Sequence, residues 1–499
     1  MFLALASMHI PSRLTKIQQF ASGMIREVFS LDPRAISLMR IFVSILLLLD
    51  LFIRAQSLTA HYTSSGALPF AHGAELYLQP TCFTVFSWND SLPFAALIFS
   101  LSACAFLFLL LGYQTRIATF VSWILLCSLQ NRNPLVLQGG DDLLRLTLFW
   151  GVFLPWNAFY SVDAGKNKAV SSTHAVFSAA SAGYLLLIFS LYFFSGILKS
   201  SAEWASEGTA LYYALNLDMM TWPLGRKLLD APLLLKCLSP TIRWLEIILP
   251  CMLFIPFKTS RVRHFVIAGL VLLNVFIGLT LFVGLFGLIN IACLFGLLPS
   301  ASMTRIHTRL IRNNKVKGPS FADPPARKNY YLSLLKNCLL VYFIALSLIW
   351  NINAIPGSPV VASTRIFPIG YALRLDQYWG MFAPNVLKED GWFVYAGMSN
   401  FGMPIDLNRG GEQVSFKKPA KVLDLYQDDR WRKFLENYQM ERNIVIRNHL
   451  CKYLITRWNR MHTKQPIRSL HIIFMRENTP APGSAFKIKP DTLCSCLDN

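Results

Sequence analysis

Residues 184–215 read YLLLIFSLYFFSGILKSSAEWASEGTALYYAL, and the rest of the chain is read outward from this stretch. It opens as an apolar run long enough to enter a bilayer, and one lysine, Lys199, closes the run. Glu203, Trp204 and Glu207 follow, then an amphipathic segment with Tyr212 and Tyr213. A lysine at the end of an apolar helix can snorkel its ammonium into the headgroup layer. Moved into an apolar site, it can instead lose its proton and serve as a base. Both readings stand on spacing alone.

Composition sets the class. The 499 residues are 54% hydrophobic and only 15% charged, against about 25% charged in soluble chains. Repeated apolar runs make the fold an all-α polytopic membrane bundle. Nine spans are expected, at 36–53, 92–112, 117–129, 143–159, 183–198, 241–257, 265–282, 284–298 and 332–350. The apolar run 265–298 is read as a tight helical hairpin turning at Val283–Gly284, because one helix of that length would need extreme tilt.

The formal charge of +20 is topological. With the N-terminus inside, the inner segments hold Arg13, Lys16, Arg26 and Arg34, then Arg116, Lys166 and Lys168. Lys258, Arg261 and Arg263 come next, and seven more lie between Arg305 and Lys328. The outer loops hold only Arg132, Arg226, Lys227 and Lys236. This bias places the protein in the cell (inner) membrane with a cytoplasmic N-terminus and everything after Trp350 outside. No zinc-finger spacing, RNP motif or basic helix suggests nucleic acid, and no Cys/His spacing suggests a metal. The expected organisation is a cytoplasmic segment 1–30, a membrane domain 31–300, a basic loop 301–331 and a final span 332–350. An α+β extracytoplasmic domain follows over 351–499, with a helical stretch 428–462 and a strand at 468–477. Cys494 and Cys496 stand too close together for good disulfide geometry.

Polar groups then mark candidate sites. Arg40, Asp50 and Arg54 share one face of the first span, and Asp50 and Arg54 are an i,i+4 pair. They suit an intramembrane ion pair that sets helix packing, or groups facing a watery cavity. The outer connector NRNPLVLQGGDDLLR, residues 131–145, brings Arg132, Asn133, Asp141, Asp142 and Arg145 together, with Asp141 or Asp142 able to cap the next helix. Topology puts Lys199, Glu203 and Glu207 on the same outer face. Asn274 suits an interhelical hydrogen bond.

Three stretches, AISLMRIF followed by HYTSSGALP, NRNPLVLQGGDDLLRLTLFWGVFLPW, and FFSGILKSSAEWASEGTALYYAL, together resemble the horizontally transferred transmembrane (HTTM) domain over about residues 31–300. That membrane module is shared by bacterial proteins and vitamin K-dependent gamma-carboxylase. The resemblance implies that Lys199, in the Gly196, Lys199, Trp204 spacing, is a base acting on a reduced quinone, with Trp204 and Tyr212 beside the cofactor. Asn133, Asp141, Asp142 and Arg145 would complete the site. It departs at Asn133, which stands where the carboxylase carries a histidine, and a shorter tail replaces the large substrate-binding part. Two functions follow as expectations: a Lys199-dependent enzyme modifying an exported protein or peptide, or a non-catalytic membrane factor for assembly, maturation or export of a partner. A transporter is disfavoured, since no paired Gly/Pro-broken spans recur in two halves.

Overall fold

Asp32 accepts a hydrogen bond from the Arg34 amide and Pro33 occupies the first helical position, so a long helix starts there and runs Pro33–Ala55. The computed structural model describes residues 13–166, 175–310, 330–358, 367–484 and 486–498. Residues 1–12 and most of the expected basic loop, 311–329, lie outside them. Five described helices are long and apolar enough to cross a bilayer: Pro33–Ala55, Leu92–Leu111, Ala179–Leu198, Thr259–Thr280 and Tyr331–Asn353. A sixth is counted if Phe286–Leu297 and Ser300–Arg309, bent by 100°, form one span.

The other expected spans are helices too, but length and apolarity alone do not carry them across. Helix Gly139–Phe153 has 15 residues, about 22 Å of rise, because Pro155 stops it. Helix Thr115–Arg132 holds an arginine near each end. Helix Pro232–Met252 contains Lys236, Arg243 and Glu246. The run 265–298 is two helices, Thr259–Thr280 and Phe286–Leu294, packed on each other. Gly284, at φ +58°, makes the turn between them, and a Cβ there would collide with the Asp429 carboxylate. Asn274 donates to the Tyr192 hydroxyl at 2.8 Å, joining Thr259–Thr280 to Ala179–Leu198.

Beyond the last apolar helix the chain forms a five-stranded antiparallel sheet in the order β3-β2-β1-β4-β5. The strands are β1 Glu389–Ser399, β2 Pro404–Asp406, β3 Glu412–Gln413, β4 Ile467–Asn478 and β5 Lys487–Leu497. In β1, burial on both faces hides the alternation that marks a strand, so EDGWFVYAG reads poorly in sequence. The helical stretch is two helices, Asp429–Tyr438 and Arg447–Met461, separated by a short 3-10 segment. Cys496 pairs with Cys451, not with Cys494, and so ties helix Arg447–Met461 to β5. This layer does not close its core alone. Leu68, Leu135, Val136 and Met219, from the loops of the membrane part, are buried in the same apolar cluster as Trp392, Phe434 and Phe474.

A polar contact sits on that junction. The buried Asp390 carboxylate of β1 accepts from the Asp218 and Met219 amides. The Asp218 carboxylate is paired with Arg226 and Lys418, and Lys418 also reaches Glu477. Burial, and then the Asp218 charge, push Asp390 up to about 7. The folded chain therefore keeps a proton that an unfolded aspartate, with its ordinary value near 4, has already lost. The junction should be most stable below about pH 4 and weaken as pH rises to about 7. Hydrogen exchange of the 216–221 loop, compared at pH 5 and pH 8, should show faster opening at pH 8 after correction for the intrinsic rate. Asp390→Asn should flatten that difference, and an unchanged pH slope in the variant would remove Asp390 as its cause.

Candidate functional site

The charges of the first span are completed from two distant parts of the chain. Arg54 donates from Nε to Asp50 Oδ2 at 2.7 Å, from Nη1 to the Tyr62 hydroxyl at 2.7 Å and from Nη2 to Asp141. Arg430, the second residue of helix Asp429–Tyr438, donates to Asp141 Oδ2 at 2.6 Å, to the Val136 carbonyl at 2.8 Å and to Asp50. Asp50, Arg54, Asp141 and Arg430 thus form a closed ring of alternating charge, all four buried. Asp141 also accepts from the Gln138 amide at 2.8 Å, so one carboxylate both caps its helix and closes the ring.

Arg40 is not part of this ring. It lies about 15 Å from Asp50 along the helix and donates to the carbonyls of Trp156, Leu109, Leu110 and Tyr160. Those are loop and helix-end oxygens, of which Leu109's also accepts the Gly112 cap amide. Sharing a helical face did not bring it to the pair, because axial distance separates them.

Arg145 heads a second cluster. It pairs with Asp142 at 3.0 Å, and donates to Gln130 Oε1 at 2.8 Å, the Arg374 carbonyl at 2.8 Å and the Asp376 carbonyl at 2.6 Å. Arg374 itself reaches Asn131 and pairs with Asp376 at 3.0 Å. Asn133 accepts from the Leu135 amide, and its Nδ2 lies 3.4 Å from His61 Nδ1. A histidine is thus close to Asn133 after all, brought from HYTSSGALP rather than from the adjacent sequence. Burial and the guanidiniums of Arg54, Arg132 and Arg430 push His61 down to about 3, so it is neutral near pH 7.

Lys199 is in neither cluster. It follows helix Ala179–Leu198 as a buried residue, and its Nζ donates to Glu246 Oε2 at 2.6 Å, Ser195 Oγ at 2.8 Å and the Ser195 carbonyl at 3.4 Å. The Trp204 ring stands 5.2 Å away. Gly196 makes this possible, since a Cβ there would come within 2.6 Å of Ile247 Cγ1 and 2.9 Å of the Arg243 carbonyl. Helix Pro232–Met252 can approach only because that position is bare, and the approach delivers Glu246. Sequence reading passed over Glu246, although it is the one acid in PLLLKCLSPTIRWLEIILPCM. Glu203 turns away from Lys199, accepting from the Val386 amide at 3.1 Å and pairing with Lys388 at 2.7 Å.

One segment, residues 374–390, touches both regions. It supplies the carbonyls that hold Arg145, the Phe382 carbonyl that accepts from the Trp204 indole at 2.8 Å, and the Val386 amide and Lys388 that hold Glu203. The residues expected to hold a quinone do not fit one in this packing. The Lys199 donors face Ser195 and Glu246, the Trp204 N–H is taken by Phe382, and the Tyr212 hydroxyl points to the Pro480 carbonyl at 3.4 Å. Among the described residues, no three of His, Cys, Asp and Glu converge as a metal set.

The ring yields a stability expectation. Arg430→Met leaves two buried carboxylates against one guanidinium and should destabilise the chain by about 3–5 kcal/mol. Adding Asp50→Asn restores neutrality and should recover a large part of the loss, as a non-additive term in a double-mutant cycle of thermal unfolding in mild detergent. Strict additivity would mean that the four groups do not act as one unit. No family model matches this chain, and no curated protein or solved structure matches it either.

Proposed function

We propose that this chain is a multi-pass membrane factor of the HTTM, gamma-carboxylase-like class, which holds a C-terminal domain rigidly at the extracytoplasmic face to handle an exported protein or peptide. The observation that carries the reading is the Asp50–Arg54–Asp141–Arg430 ring, which fastens the domain to the first span and to the outer connector at once. A tethered catalytic or binding domain working at a distance has no need of such a lock. Placement of that face outside the cytoplasm is supported by the Lys and Arg bias of the loops. It is supported too by the Cys451–Cys496 disulfide, which suits an oxidising compartment. The nine-span topology, with the N-terminus inside the cell membrane, belongs to the same proposal. Of the shorter helices, Gly139–Phe153 is then held among the longer ones, with most of its residues buried.

A second reading, the Lys199-dependent enzyme, is favoured by a specific observation. The lysine is buried against Glu246 and beneath Trp204 and does not reach toward headgroups. Base work by Lys199 needs the proton to pass to Glu246, across the 2.6 Å between Nζ and Oε2. That transfer leaves the lysine lone pair pointing at the protonated Glu246, so the amine must turn about its Cε–Nζ bond to take a proton from whatever enters under Trp204. Because Lys199→Met alone strands a buried carboxylate, the informative variant is Lys199→Met with Glu246→Gln, which keeps the site neutral. In cells, the factor reading expects this double variant to retain maturation of the exported partner within about twofold of the parent. Loss of about 100-fold or more, with unfolding and membrane level unchanged, would install the enzyme in its place.

A further inference from the structure

The C-terminal domain contains a cavity of about 360 Å³ whose lining includes no member of either charged cluster and not Lys199. Leu435 and Leu454, with the rings of Trp431 and Trp458, give it apolar walls, while Asn408, Gln427, Arg457 and His462, the last stacked on Trp458, provide polar groups. The Asn408 Nδ2 is buried and has no acceptor among the described residues, which is costly to leave so. Arg457 is exposed and hydrogen-bonds to Tyr453. Among the described residues, no carboxylate lines the cavity.

We infer that this cavity is a binding site for a small apolar carboxylate, whose aromatic or branched aliphatic body lies between Trp431 and Trp458 and whose anion meets Arg457 and the Asn408 amide. The assignment follows from the lining. Apolar walls of this size accept one large side chain, since ligand sites begin near 300 Å³. An exposed guanidinium beside an unused amide donor, in a lining that holds no carboxylate, selects a planar anion. Two sources share that chemistry, a free aromatic acid and the C-terminal residue of a polypeptide. The inference goes beyond the proposed function and stands without it, because neither Lys199 nor any member of the ring of four charges lines the cavity. Helix Asp429–Tyr438 nonetheless serves both places, sending Arg430 into the ring while Trp431 and Leu435 face the cavity.

The test is calorimetric titration of the full chain in detergent with N-acetyl-L-phenylalanine, its amide, and the peptide Ala-Ala-Ala-Phe with a free carboxylate. The acid should bind with a Kd on the order of 1 mM or tighter, and its amide about tenfold more weakly. Arg457→Met should abolish the preference for acid over amide, and Leu454→Trp should remove binding by filling the cavity. Lys199→Met with Glu246→Gln should leave binding unchanged, which separates this result from the fate of the proposed function. A peptide about tenfold tighter than the acid identifies a polypeptide C-terminus as the source, and equal or weaker binding identifies the free acid. The inference is overturned by no binding to the parent chain, by equal binding of acid and amide, or by an acid preference that survives Arg457→Met. Arg457 is exposed, so its variant keeps the test decisive even if Leu454→Trp does not fold.

Discussion

The ring of Asp50, Arg54, Asp141 and Arg430 is the constraint on which the rest of the structure depends. Moving four charges out of water carries a large desolvation penalty, recovered only if every charge finds partners in good geometry. Here each carboxylate meets two guanidiniums and each guanidinium two carboxylates, so the cluster is neutral and tolerates no vacancy. Its members come from the first long helix, the start of helix Gly139–Phe153 and a helix of the C-terminal domain. Satisfying one member therefore sets the positions of all three elements. The shared apolar cluster around Leu135, Val136 and Phe434 acts in the same direction, since neither part covers that surface alone.

Residues 374–388 extend the same logic across the face that packs on the C-terminal domain. Backbone carbonyls of this segment take the Arg145 and Trp204 donors, and its amide at Val386 takes the Glu203 carboxylate. A segment without regular structure has spare backbone groups, and buried loops must satisfy them. The polar side chains of the connector and of the stretch after Lys199 do that. The loop and the two clusters are thus mutual solutions to one hydrogen-bonding problem. Their cohesion does not depend on any direct contact between Lys199 and the connector.

Much of this was legible where chemistry is local. The i,i+4 relation of Asp50 and Arg54, the helix cap at Asp141, the turn at Gly284 and the interhelical role of Asn274 all follow from spacing or from a lone polar group in an apolar run. What was hidden is what arrives from afar. Arg430 reads as one of several basic residues in a solvated helix, and nothing near it in sequence points to Asp50. Glu246 was visible as an acid in an apolar stretch, but its partner is set by Gly196, whose missing side chain marks a contact only when the facing helix is known. The convergence of Lys199 with the connector failed for a related reason. A shared outer face limits depth in the membrane, not position across it.

Lys199 and Glu246 show how one geometry can serve two roles. A helix carrying Lys236, Arg243 and Glu246 meets lipid at a heavy penalty unless its charges are paired or lie near the interface, so Glu246 facing Lys199 is first a condition for that helix to sit in the bundle. An apolar pair would pack there at lower desolvation cost, but it would not fix the register of the two helices, as a short ion pair beside a bare glycine does. The same closeness makes proton exchange between the two groups a movement of a fraction of an ångström. What divides structure from chemistry is access, and access lies under Trp204. That indole is tied to the Phe382 carbonyl in the segment leading into β1, so a motion that swings Trp204 off Lys199 must break a bond to that segment.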